Sequence, residues 1–346
     1  MLTIFQDIPD FTLSSQLDNF TISSNKLVNF VLKQGNNVIL QENYTPDANS
    51  LIRVFDLFSL MEPYLIASPL LQFSYTVSAS GEASISKTFI VLLCRLVVAC
   101  SAEDFVDNYF LTTLAGGDKV TSFGRTETLN FTTGRLSSGG TAIPVTAECV
   151  FVNDRNQLLK STRSLGSVSD YGILSVDVSP SRFTQSGYIL LRYTVQAGAR
   201  KQVFRVDQDK PEAIGLKFRN SFGLVETFYF VGGDTVEPEL TRSAAYFAGQ
   251  YKTYYVDEQR KHTLNTGYIP ESMFALADDL ARTTEAWLMD DSGDIPITII
   301  ESDTSRSDED DGLFSFTVTY ILASRCQQRI HLLPEVFDDS FDDTYN

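Results

Sequence analysis

The stretch Ala213-Ile-Gly-Leu-Lys-Phe-Arg-Asn-Ser-Phe-Gly-Leu-Val-Glu-Thr-Phe-Tyr-Phe230 decides how this chain folds. Two runs of strand-forming residues, Ile214 to Phe218 and Glu226 to Phe230, flank Arg219-Asn-Ser-Phe-Gly223, a turn-rich segment with an aromatic ring in its middle. Strand, turn and strand at that spacing predict a hairpin closing a β-rich domain. Nothing in the stretch is a nucleophile, a metal ligand or a phosphate loop.

Downstream, Tyr251 to Val256 and Lys261 to Gly267 continue the strand pattern, and Pro270-Glu271 opens the clearest helix of the chain. Met273, Phe274, Leu276, Ala277, Leu280 and Ala281 recur on one face of it, so it is expected to cover a sheet. Trp287 to Met289, Ile295 to Ile300 and Leu313 to Ala323 complete this part as strands. Upstream, Asp207-Gln-Asp-Lys-Pro211 is polar and proline-terminated, which suits a linker. Before it, strands are expected at 127–131, 142–152, 172–178, 188–196 and 202–206. Before those, residues 16–33 form a strand running into the turn at Gln34-Gly35, Val38 to Tyr44 returns, Leu51 to Phe55 follows, and 70–77 pairs with 83–93. Leu57 to Tyr64 has helical spacing over no more than a turn or two.

Composition agrees. Of 346 residues, 43% are hydrophobic, enough for folded cores. Phe and Tyr number 25 and 15 against one Trp, a balance that favours strands. The expected fold is mainly β, with three antiparallel β-sandwich-like domains at 1–100, 101–207 and 208–331, the last carrying one packed α-helix, followed by an acidic tail at 332–346.

The formal charge of −17, from 44 acidic and 27 basic residues, disfavours nucleic acid as a partner. Cys94, Cys100, Cys149 and Cys326 form no Cys-x-x-Cys pair, so zinc is not expected and buried free thiols are, in keeping with a reducing cytoplasm. The N-terminus lacks the basic and apolar regions of a signal peptide. The run Phe89 to Cys94 is interrupted by Arg95 and is too short to span a bilayer; it reads as a doubly buried strand, and no membrane insertion is expected.

Chemistry is sparse. His262 and His331 lie near no nucleophile motif. The acids from Asp303 to Asp311 lack calcium-loop spacing. The pairs Gly116-Gly117, Gly139-Gly140 and Gly232-Gly233 precede no Lys-Ser or Lys-Thr. Asp290, Asp291 and Asp294 crowd one turn without an apolar pocket, unlike glycosidase acids. The rings of Phe228 to Phe230 and Tyr251 to Tyr255 could stack on sugars, but alternation would bury every second one, so core packing is expected. No catalytic, cofactor-binding or metal-binding residue is assigned, and enzyme activity is not expected.

Phe218 to Phe230, Arg242-Ser-Ala-Ala245, Asn265-Thr-Gly-Tyr-Ile-Pro-Glu271 and Ala277-Asp-Asp-Leu-Ala-Arg282 resemble virion proteins of tailed phages and prophages of Bacteroidales. Glu42 to Asp47 and Ile52 to Leu57 extend the similarity. The resemblance implies a structural tail or baseplate component, located in the virion, whose partners are itself and other tail proteins; it transfers no catalytic residue. The aromatic strings favour a second possibility, a cell-surface adhesin or carbohydrate-binding protein with a host glycan as partner. Leu333, Val336, Phe337 and Phe341, set among acids beyond the last expected strand, are the candidate partner contacts.

Overall fold

Apolar alternation sorts the chain into layered β units. The computed structural model describes residues 1–17, 20–137, 139–208, 213–290, 293–303 and 313–324. Strand makes up 56% of it and helix 11%, so the fold is mainly β; its first two units are β-sandwich-like and its third is a sheet covered by a helix.

The first unit holds β1 (Thr3–Gln6), β2 (Phe11–Leu13), β3 (Phe20–Ser23), β4 (Val28–Gln34), β5 (Asn37–Tyr44), β6 (Leu51–Val54), α1 (Leu57–Ala67), β7 (Leu70–Ala79) and β8 (Ile85–Leu92). Sheets of order β1-β3-β6 and β2-β8-β7-β4-β5 enclose Phe20, Phe30, Tyr75 and Phe89. Residues 16–33, expected as one strand, are two. The chain breaks after Ser23 and crosses from one sheet to the other, so each half buries its own apolar set. Helix α1 has 11 residues, longer than its spacing suggested. It continues through Pro63 because Leu57, Met61 and Leu65 stack on one buried face.

The second unit holds α2 (Ala102–Asn108), β9 (Asp118–Thr121), β10 (Thr128–Thr132), β11 (Ile143–Val152), β12 (Leu158–Val168), β13 (Ile173–Asp177), β14 (Ile189–Ala197) and β15 (Arg200–Val206). A five-stranded sheet, β12-β11-β14-β15-β9, packs on the pair β10-β13 around Phe131, Phe151, Tyr193 and Phe204. Helix α2 starts on the Ser101 side chain, which accepts the Asp104 N–H.

The third unit is one seven-stranded sheet. Its strands are β16 (Ile214–Arg219), β17 (Val225–Phe230), β18 (Gly233–Phe247), β19 (Gln250–Pro270), β20 (Ala286–Leu288), β21 (Ile295–Asp303) and β22 (Leu313–Leu322), in the order β17-β16-β20-β21-β22-β19-β18. Helix α3 (Phe274–Ala281) takes the place of a second sheet, burying Leu276, Ala277 and Leu280 against Phe228, Phe316 and Val318.

The β16–β17 hairpin pins the three units together. Phe222, fully buried at its turn, stacks on Phe105 of α2 at 5.5 Å and joins Leu13, Leu92 and Cys94 in a fourth core. The Ser221 carbonyl accepts the Arg95 N–H, and Asn220 Nδ2 donates to the Leu111 carbonyl. Glu226 accepts from Thr112 and Asn220. Lys119 Nζ lies 2.7 Å from Glu127 and donates to the Thr227 carbonyl, with all of these groups buried. Breaking one partner of such a buried pair costs about 3–5 kcal/mol, because the other charge stays behind without compensation. These contacts fix the register between the second and third units.

Candidate interaction surface

The opposite end of the seven-stranded sheet is built differently. β19 pairs with β22 only between His262 and Pro270, whereas β18 and β19 pair along their length to Phe247 and Gln250. From Val236 and His262 outward, among the described residues, they form a two-stranded ribbon projecting roughly 35 Å at ~3.3 Å per residue. Its base is held firmly. Asn265 Nδ2 donates to Thr317, the Gly232 N–H donates to the Asn265 carbonyl, and a Cβ on Gly232 would sit 2.5 Å from the Gly267 nitrogen. Its tip is the two-residue turn Ala248-Gly249, both residues at positive φ.

The outer half of the ribbon exposes a group of rings. Tyr251 is 78% exposed, Tyr254 72%, Phe247 69% and Tyr246 65%. Residues directly opposite share a face, so Tyr246 meets Tyr251 edge-on at 5.1 Å. On the other face Lys252 lies over the Phe247 ring at 5.9 Å. Between Ser243 and Ala244 the register slips, leaving Tyr254 as an extra residue that bulges outward. Residues 241–256 contain Arg242 and Lys252 and no carboxylate, within a chain of net charge −17. The burial expected for Tyr251 to Tyr255 does not occur, since among the described residues no layer packs on either face of the ribbon.

At the base, the His262 ring stacks on Tyr320 at 5.0 Å, and its Nε2 is buried with no hydrogen-bond partner among the described residues. A cleft of about 530 Å³ opens beside it, bordered by Asp234, Val236, Arg260 and Leu322. A larger apolar cleft, about 640 Å³, lies where the units meet, between the loop Leu96 to Cys100 and Phe222.

The remaining sequence candidates are scattered. Leu333, Val336, Phe337 and Phe341 lie outside the described residues, as do His331, Cys326, Asp291 and the acids from Thr304 to Asp311. Asp294 is engaged by Lys217 at 2.7 Å. The ring of Tyr229 carries the Arg125 guanidinium at 5.1 Å, and its hydroxyl donates to the Thr126 carbonyl, so it joins two units. Cys94, Cys100 and Cys149 are free thiols, and burial pushes Cys149 up to about 11. Among the described residues no group of three His, Cys, Asp or Glu is placed to hold a metal ion, and no helix is long and apolar enough to cross a membrane.

The sequence did carry one signal for the ribbon. Between Gln250 and Lys261 neither alternate set is apolar: Tyr251, Thr253, Tyr255, Asp257 and Gln259 interleave with Lys252, Tyr254, Val256, Glu258 and Arg260. A strand with no apolar face has no core to lie on.

Fold and surface define a mainly β protein with a projecting aromatic ribbon. No protein-family model matches the sequence, and no curated protein matches it. Solved structures similar to it include the calcium-binding domain CBD12 of CALX1.1, at 12% identity and TM-score 0.20 over 57% of this chain and 79% of that one. Extracellular domains 3–5 of Drosophila OTK match at 11% and 0.20 over 76% and 91%. A Ca2+-stabilized adhesin with which an Antarctic bacterium binds ice matches at 13% and 0.14 over 92% and 89%. At these TM-scores the matches carry no argument.

Proposed function

We propose that the chain is a structural subunit of a tailed-phage virion, in its tail or baseplate, and that it works through protein-protein assembly and not catalysis. The ribbon carries this reading. A two-stranded hairpin alone in water is marginally stable, and a long exposed edge invites pairing with another chain. A neighbouring subunit that covers the rings and edges answers both conditions. The resemblance of Phe218 to Phe230 and of Arg242 to Ala245 to Bacteroidales phage virion proteins supports the same reading. Made in the host cytoplasm, the chain would end in the virion beside copies of itself and other tail proteins.

The test is to remove residues 240–258 and close Glu239 to Gln259 with Asn-Gly, which leaves the ribbon's base intact. Complementation of a phage lacking the gene then gives particles whose composition is measured. The shortened chain should melt like the parent and be missing from particles; normal incorporation rejects the proposal.

The exposed Tyr246, Tyr251 and Tyr254 favour a second reading, an adhesin or carbohydrate-binding protein, since ring faces stack on sugars. Saccharides that quench or shift tyrosine emission in the parent but not in the shortened chain would support it.

A further inference from the structure

The ribbon's outer half and the acidic segment Leu332 to Asn346 are complementary in both charge and apolar character. The first offers Arg242, Lys252 and exposed rings without a carboxylate. The second carries Glu335, Asp338, Asp339, Asp342 and Asp343, no basic residue, and the apolar Leu333, Val336, Phe337 and Phe341. We propose that the ribbon of one copy receives residues 332–346 of a second copy.

Length and placement agree with the charge. Residues 335–341, extended, span about 23 Å at ~3.3 Å per residue, as do residues 241–247 of the ribbon's outer half. Arg242 faces the same side as Val256, and Lys252 the same side as Phe247, so each ribbon face presents one cation beside an apolar surface. A segment alternating apolar anchors with carboxylates meets both needs at once, and charge pairing at an exposed site steers it there and weakens with salt. The apolar cleft beside Leu96 to Cys100 is the rival acceptor for such anchors, but Arg282 on its border is already paired with Asp278 at 2.9 Å. One donor segment and one acceptor ribbon per copy make a head-to-tail interface, which builds rings or filaments. The inference rests on the assembly reading, under which a tail seated on its own ribbon would leave no surface for a neighbour.

The experiment compares the full chain with the full-length double variant Arg242→Glu, Lys252→Glu. Both positions are in the projecting ribbon, so the two proteins should melt alike. Sedimentation over a concentration series measures association, and a fluorescent peptide of residues 332–346 measures binding. The parent should associate with rising concentration, and excess unlabelled peptide should return it to monomer. Raising salt from ~0.1 to ~0.5 M should weaken peptide binding. The double variant should bind peptide at least tenfold more weakly and stay monomeric. Peptide that fails to bind the parent, or binds both proteins equally, overturns the proposal. A parent that binds peptide yet stays monomeric places the segment on its own ribbon and overturns it too. Normal incorporation of the double variant into particles sinks this inference and leaves the assembly reading standing, whereas particles without the parent chain sink that reading itself.

Discussion

Two consecutive hairpins, β16–β17 and β18–β19, are both rich in aromatic residues and have opposite fates. In the first, Phe218, Phe222, Phe228 and Phe230 are all buried, and the turn is held by all three units. In the second, Tyr246, Phe247, Tyr251 and Tyr254 are all exposed, around the turn Ala248-Gly249. Aromatic content therefore does not separate core from surface. Alternation does. β16 and β17 place Leu216, Phe218, Phe228 and Phe230 on one side, where α3 covers them, while the ribbon mixes rings with Lys, Thr and Glu on both sides. One hairpin is an architectural joint and the other is a surface in need of a neighbour.

The sharpest way to break this contrast is a pair of truncations. Phe228→Ala removes a fully buried ring packed near Phe230 and Phe316 and should destabilise the protein by about 3–5 kcal/mol. Tyr251→Ala should change stability by no more than about 0.5 kcal/mol. Thermal melting reads both, and a large loss from Tyr251→Ala would show the ribbon packed against something in the isolated chain.

The same physics set what was legible in the sequence. Ile214 to Phe218 and Glu226 to Phe230 were readable because apolar residues recur at every second position and Gly223 marks the turn; the strands are Ile214–Arg219 and Val225–Phe230. The face of α3 was readable for the same reason. β12 was not, because Leu158 to Val168 is an edge strand dominated by Ser, Lys, Thr and Arg. Nor were the junction partners, since Asn220 with Leu111 and Ser221 with Asp279 are tertiary contacts between distant residues of ordinary type. The ribbon is the exception: aromatic alternation predicts a half-buried strand over Tyr251 to Tyr255, whereas the polar residues between its rings exclude a core on either side.

The two turns give a second contrast. Gly223 sits at φ +73°, and a Cβ there would meet Leu93 Cδ2 at 2.8 Å. Gly223→Ala should therefore lower stability by about 1–3 kcal/mol, seen as a drop in Tm. A neutral result would mean that the joint gives way to a methyl group and is looser than its contacts imply.

The joint is also sensitive to pH. Burial pushes the Glu226 carboxyl above its ordinary 4.5, against the pull of the Lys119 ammonium and of the Asn220 and Thr112 hydrogen bonds. Burial raises Asp279 as well, against the two hydrogen bonds from Ser221. Each acid holds its proton more firmly folded than unfolded. Its contribution to stability is fully present below the unfolded value and is lost as pH rises through the folded one. Melting temperature should thus decline from about pH 4.5 upward. Glu226→Gln and Asp279→Asn should each flatten that decline, and an unchanged slope in both would remove these acids from its cause.

The smallest effect belongs to the ribbon's tip. Ala248 and Gly249 have φ of +51° and +80°, the pattern of a two-residue hairpin turn that prefers Asn or Gly at both places. An alanine held left-handed costs roughly 1–2 kcal/mol, which Ala248→Gly should largely relieve, less the entropy that glycine loses on ordering. The net gain, about 1 kcal/mol, should stay local, because among the described residues the ribbon beyond His262 contributes none to the core of the sheet. Amide hydrogen exchange along 240–258 should then slow by roughly fivefold while Tm stays constant. A rise in Tm matching the slowed exchange would mean that ribbon and joint unfold together, and the division between a rigid joint and a separately fluctuating surface would have to be abandoned.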